Sequence, residues 1–314
     1  LALRSHIGPD CGCSGQAMAK RIAASMLWRC QAARSLPAID VLNARSLAAE
    51  SGGSEAITSD KGLFFINPRG ENPFRMPQIW TQGETQASSV WFPTIDSPNE
   101  KMTQEIFMTV DDKYTTLSNG TLAASAKNTD GTRTDHWKLG QPHAPYLAMM
   151  AVGEFVKITG EPWKGKEISY YVEKEYAEDA KTIFAETREM IDFYSRVLGV
   201  DYPWDKYAQI VVREYVSGAM ENTSATLHGD FMVYQTAREV KHERKGTAVI
   251  AHELFHQWFG DLVTCESWSN LPLNKQFETP FWTEELPAAS SGEINVQMTT
   301  HDQMGIGGGD VFRI

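Results

Sequence analysis

One stretch constrains this chain more than any other: Ala251-His252-Glu253-Leu254-Phe255-His256-Gln257-Trp258. It lies in an apolar run predicted as a helix over residues 248–259, capped by Thr247 and ended by Gly260. On such a helix His252 and His256 stand one turn apart and project from one face. Two neutral imidazoles so placed supply two of the three protein ligands of an open, catalytic zinc site. Glu253 lies beside them, where its carboxylate can take a proton from metal-activated water without binding the metal. The plainer alternative, two histidines capped within a core, is weaker because the segment is already predicted helical.

Charge narrows what surrounds that motif. The 314 residues carry 40 acidic and 29 basic side chains, a net charge of −11. An acidic chain lacks the basic surface that phosphate contacts need, so no nucleic-acid partner is expected. No apolar run is long enough for a transmembrane helix, and a soluble protein is expected. Four cysteines are too few for a disulfide scaffold. Residues 1–50 stand apart, with six basic and three acidic side chains, so the remainder holds −14. They are rich in Ala and Ser, and Ser51-Gly52-Gly53-Ser54 separates them from the rest of the chain. Residues 1–56 are therefore expected to be an atypical, poorly ordered basic leader, either transit-peptide-like or foreign to the chain. Compartment and oligomeric state are not legible in the sequence.

From about residue 62 to 160 the pattern is β. Short apolar runs at 63–66, 78–81 and 105–110 read as strands, and Asn119-Gly120 is a hairpin-turn signal. Asn119-Gly120-Thr121 also matches a glycosylation sequon, a tripeptide common by chance. Residues 144–156 form an apolar run whose periodicity fits a strand or a buried helix equally. After Lys166 the texture becomes α/β. Residues 168–172 and 207–212 read as strands, and apolar positions between Ile183 and Leu198 recur at helical spacing before a Gly199 C-cap.

Two further elements extend the central motif. Gly218-Ala219-Met220-Glu221-Asn222 stands 30 residues ahead of His252. Gln82-Gly83-Glu84 stands ahead of Phe92-Pro93-Thr94-Ile95-Asp96. With residues 249–264, these elements resemble the gluzincin zinc aminopeptidases of the alanyl/membrane-aminopeptidase type, over roughly residues 57–274. The resemblance implies an α+β fold. A β-rich, saddle-like N-terminal domain over residues 57–166 would precede part of a thermolysin-like catalytic domain over residues 167–314, both incomplete and the second lacking its C-terminal part. It implies one Zn2+ per chain on His252 and His256, Glu253 as general base, and peptides with a free N-terminus as partners. Glu84 and Glu221 would bind the substrate's α-amino group, two carboxylates selecting one ammonium by Coulombic attraction. The backbone of Gly218, Ala219 and Met220 would run as an edge strand beside the substrate.

The departures matter as much. The family's third zinc ligand is a Glu separated from the second His by 18 intervening residues, and Lys275 stands there in this chain. A protonated Lys has three donors and no lone pair, so zinc affinity is expected to fall sharply. Glu278 lies one turn further along, and Pro280 interrupts the helix expected there. The family's catalytic Tyr has no counterpart, since the 58 residues after His256 contain none. The sequence therefore implies a zinc aminopeptidase by kind, with Lys275 opposing turnover by this chain. Two other readings stay open. One is a non-catalytic peptide-binding protein, or an inactive fragment, that retains Glu84 and Glu221. The other is an epoxide hydrolase, the activity of one branch of the family.

Overall fold

The computed structural model describes residues 25–30, 39–41, 62–234, 245–271, 295–297 and 311–313. Its first half is β-rich because its apolar residues alternate. Along Met102–Asp111 (β5), Met102, Gln104, Ile106, Met108 and Val110 turn inward while their neighbours are half-exposed. β5 is the centre of an antiparallel sheet. On one side it pairs with Thr132–His143 (β8), which in turn pairs with Thr121–Lys127 (β7). On the other it pairs with Ser25–Cys30 (β1), itself paired with Ile39–Val41 (β2). These two strands are the described part of the basic leader.

A second antiparallel sheet has the order β3-β4-β9-β6, from Gly62–Ile66 (β3), Gln78–Gln82 (β4), Met150–Gly153 (β9) and Thr115–Ser118 (β6). Residues 144–156, ambiguous in sequence, form a 3-10 turn at Pro145–Leu147 and then β9. Every residue of β9 is buried, which accounts for an apolar run without alternation.

The Asn119-Gly120 pair does not make the expected hairpin. It links β6 to β7, and those strands belong to different sheets. Tertiary hydrogen bonds override the local turn preference. Asn119 is fully buried, with Nδ2 donating to the Leu147 and Thr223 carbonyls at 3.0 and 2.8 Å. Its Oδ1 accepts from the Met149 amide at 2.7 Å and from Gln104 Nε2 at 3.0 Å. Gly120 has φ +72°, and a Cβ there would stand 1.9 Å from the Lys138 carbonyl oxygen. The sequon asparagine is thus spent on packing.

The third sheet is mixed, in the order β10-β11-β12-β14-β13. Glu167–Val172 (β11), Lys206–Val212 (β12) and Ala225–Gly229 (β14) run parallel. Val156–Thr159 (β10) and Ala219–Met220 (β13) flank them antiparallel. The sheet thus draws one edge strand from ahead of Lys166. Thr187–Leu198 (α1) crosses between β11 and β12 and ends on Gly199 at φ +65°, the predicted left-handed cap. β12 is buried on both faces. Tyr207 and Val211 pack with Met190, Ile191 and Tyr194 of α1, whereas Ala208, Ile210 and Val212 join the core of the β-rich half. Gln209, on the helix side, donates to Thr187 Oγ1 at 2.8 Å. A separate pairing joins Asn295–Gln297 to Val311–Arg313.

The helix bearing His252 spans Lys245–Phe255 (α2), and His256 follows its last residue. Thr247 therefore sits inside it rather than capping it, two residues past the first described helical position. It also ends four residues sooner than expected. Ile250, Ala251, Leu254 and Phe255 bury its apolar face in the core shared with α1.

Candidate active site

Beyond Phe255 the chain tightens. The His256 amide still bonds the His252 carbonyl at 3.2 Å, but Gln257 and Trp258 bond back only three residues. Gly260, at φ +128°, reverses the chain. Its amide donates to the Val263 carbonyl at 2.8 Å, while the Asp261 amide returns to the His256 carbonyl at 3.1 Å. A Cβ on Gly260 would lie 3.1 Å from His256 Nδ1, so this turn also gives the imidazole its room.

That ring is oriented by its backbone. His256 Nδ1 lies 2.8 Å from the Phe259 carbonyl, which can only accept, so Nδ1 carries the hydrogen and Nε2 keeps its lone pair. His256 Nε2 stands 3.1 Å from His252 Nε2, with the rings nearly perpendicular at 87°. Two nitrogens on one tetrahedral zinc are about 3.3 Å apart. The separation, the oriented tautomer and the donor types fit a zinc ion. His256 is buried and His252 half-buried.

Carboxylates gather around His256. One ligand atom each from Glu221, Glu253 and His256 lies within 4.8 Å of the others, and all three residues are buried. Glu221 follows β13, which pairs Ala219 with His228 and Met220 with Leu227 of β14. β13 is an edge strand of its sheet. Glu84 comes from the other half, in the turn after β4, and is half-buried. Gly83 is required ahead of it, because a Cβ would meet the Tyr146 carbonyl oxygen at 2.4 Å. The two halves meet at Gln82. Its Oε1 accepts from the Tyr215 hydroxyl at 2.7 Å and its Nε2 donates to Met220 Sδ at 3.6 Å.

Two buried phenols register the convergence. Burial first, then the charges of Glu253, Glu221 and Glu84, hold the Tyr215 hydroxyl well above its ordinary pKa. Burial, Glu221, Asp261, Glu84 and Cys265 do the same to Tyr146, whose hydroxyl donates to the Gly260 carbonyl at 3.3 Å. Both stay protonated and serve as donors.

The structure thus gathers His252, His256, Glu253, Glu221, Glu84 and the Gly218-Ala219-Met220 backbone at the junction of the two halves. Lys275, with Glu278 and Pro280, lies outside the described residues. Sequence reasoning missed Tyr146, Tyr215 and Gln257. Of these only Gln257 carried a signal, as a polar residue inside the apolar run 254–259.

Residues 183–304 match the peptidase family M1 domain, and residues 59–147 match the peptidase M1 N-terminal domain. Human glutamyl aminopeptidase (Homo sapiens) is 29% identical over 215 residues, 68% of this chain and 22% of that protein. Mouse endoplasmic reticulum aminopeptidase 1 (Mus musculus) is 29% identical over 199 residues, 63% of this chain and 21% of that protein. Pig glutamyl aminopeptidase (Sus scrofa) is 30% identical over 192 residues, 60% of this chain and 20% of that protein. The chain spans about a fifth of the length of these curated relatives.

Proposed function

Because this chain belongs to the peptidase M1 family, we propose that it carries the peptide-binding and metal-binding groups of a zinc aminopeptidase, which removes N-terminal residues from peptides. Its β-rich half corresponds to the saddle-like N-terminal domain, and its mixed sheet with α1 and α2 to part of a thermolysin-like catalytic domain. The observation that carries the reading is the convergence of Glu221, Glu253 and His256 within 4.8 Å beside an edge strand.

His252 and His256 hold the metal. When bound, zinc supplies Lewis-acid activation of water and of the scissile carbonyl. Glu253, next to His252 on α2, accepts a proton from the attacking water and returns it to the departing amine. Glu221 and Glu84 face the substrate's terminal ammonium from opposite halves of the molecule, and this pairing restricts attack to the first peptide bond. An N-acetylated peptide offers no charge to them. The edge of β13 pairs with the substrate backbone and sets its direction.

Lys275 favours a second reading. Its ammonium offers no lone pair at the position of the family's third ligand and adds positive charge near a dication. A chain that keeps Glu84 and Glu221 but binds zinc weakly captures peptide N-termini without turning them over. Metal analysis after dialysis, with an aminoacyl-nitroanilide assay, separates the two. Zinc in the protein and chelator-sensitive turnover support the peptidase. No zinc and no turnover, with chelator-resistant binding of free but not acetylated N-termini, supports the binding protein.

A further inference from the structure

Glu221 is useful only if it is held at a fixed distance from the two-histidine end of α2, and the residue next to His256 is placed to do that. The Gln257 side chain is fully buried. Its Nε2 donates to the Glu221 carbonyl at 3.0 Å, and its Oε1 accepts from the Ser224 amide at 2.8 Å and the Tyr202 hydroxyl at 3.3 Å. Its own carbonyl accepts from Trp204 Nε1 at 3.0 Å, which anchors the base of the side chain. Gln257 thus grips both ends of the segment 221–224, one bond to each.

The same segment is held from the β-rich half. Asn119 donates to the Thr223 carbonyl at 2.8 Å, and the Gly120 amide to Ser224 Oγ at 2.8 Å. Asn222 Nδ2 donates to the Leu147 carbonyl at 3.2 Å, and His143 Nδ1 pairs with Thr223 Oγ1 at 3.1 Å. From β12 of the mixed sheet, Lys206 Nζ, also buried, donates to the Ser224 carbonyl at 3.0 Å. Ser224 sits at φ +62°, a left-handed conformation that a non-glycine residue keeps only when its surroundings impose it. Those bonds fix the segment to the sheets. The Gln257 bonds fix it to the metal-binding end of α2.

We propose that Gln257 is a positioning residue that sets Glu221 against His252 and His256, so that one peptide terminus spans both. This rests on the reading of Glu221 as an amine anchor. The test uses the full chain and Gln257→Met, which keeps the side-chain length and removes both of its bonds to the segment. Three readouts are taken: amide exchange at Ser224, zinc affinity, and the affinity of a short peptide with a free N-terminus relative to its N-acetylated form. In Gln257→Met the Ser224 amide is expected to exchange at least about tenfold faster, with β12 amides unchanged. Zinc affinity is expected to stay within about threefold while the preference for the free N-terminus falls about tenfold. A Ser224 amide that stays protected, or an unchanged preference in the variant, overturns the proposal. If the parent itself shows no preference, the amine-anchor reading fails, while Ser224 exchange still decides the tether. Should Gln257→Met lose its near-ultraviolet dichroism, Gln257→Glu decides. Measured above the pKa of the new carboxyl, which burial raises, it keeps the acceptor for Ser224 and lacks the donor to Glu221, so preference is expected to fall with Ser224 protection intact. A Gln257→Glu variant with full preference overturns the proposal equally.

Discussion

Replacing Asn119 with Ala tests whether the junction of the two halves is a packed hydrogen-bond node rather than a surface turn. The side chain makes four bonds of 2.7 to 3.0 Å in a fully buried position. Two partners keep a second bond after truncation: the Leu147 carbonyl retains Asn222, and Gln104 Nε2 retains Ser118 Oγ at 3.1 Å. The bond to the Thr223 carbonyl and the bond from the Met149 amide are not replaced. Each newly orphaned group costs about 1 to 3 kcal/mol, and each of the other two lost bonds about 0.5 to 1. Asn119→Ala is therefore expected to destabilise by about 3 to 8 kcal/mol in urea unfolding followed by tryptophan fluorescence. Asn119→Asp adds a sign. At neutral pH a carboxylate oxygen would face two carbonyls, which raises the folded pKa of the new acid. Its penalty is present above that pKa and shrinks as pH falls and the protonated acid regains a donor. A loss under about 1 kcal/mol for Asn119→Ala, or a pH-independent penalty for Asn119→Asp, would refute the reasoning.

Two other perturbations draw on the same structure. Arg213 bridges Glu173, Glu175 and Asp230 at 2.5 to 3.1 Å, and Glu173, the first cause of its raised pKa, is nearly buried. Arg213→Met should cost about 2 kcal/mol in urea unfolding, and a neutral result would mean that the network is solvated. Complete burial pushes His143 and His228 down to about 3 from 6.5, so the unfolded chain binds their protons first as pH falls. Stability from these groups is whole above 6.5 and lost toward 3, at about 1.4 kcal/mol per unit from each. Urea unfolding between pH 7 and 5 should show that slope, flattened in His143→Gln; an unflattened slope would contradict it.

The features legible in the sequence are those that local chemistry decides. The i, i+4 histidines, the Gly199 cap and the strands at Gly62–Ile66, Gln78–Gln82 and Met102–Asp111 come from period, capping and glycine freedom. Asn119-Gly120 misleads because its turn preference is local, whereas four tertiary bonds decide its role. Thr247 resembles a cap because α2 begins earlier than its apolar pattern. The pairing of Glu84 with Glu221 rests on resemblance alone, since they lie far apart in sequence on different sheets. Tyr146 and Tyr215 carry no signal at all, because a buried phenol beside carboxylates looks like any core tyrosine until the fold assembles.

Titrating zinc into the dialysed parent, Lys275→Glu and His252→Ala tests the proposed metal site most directly. Weak binding is expected of the parent, at least about 100-fold tighter binding of Lys275→Glu, and none of His252→Ala. Affinity unchanged in Lys275→Glu, or zinc retained without His252, would contradict it.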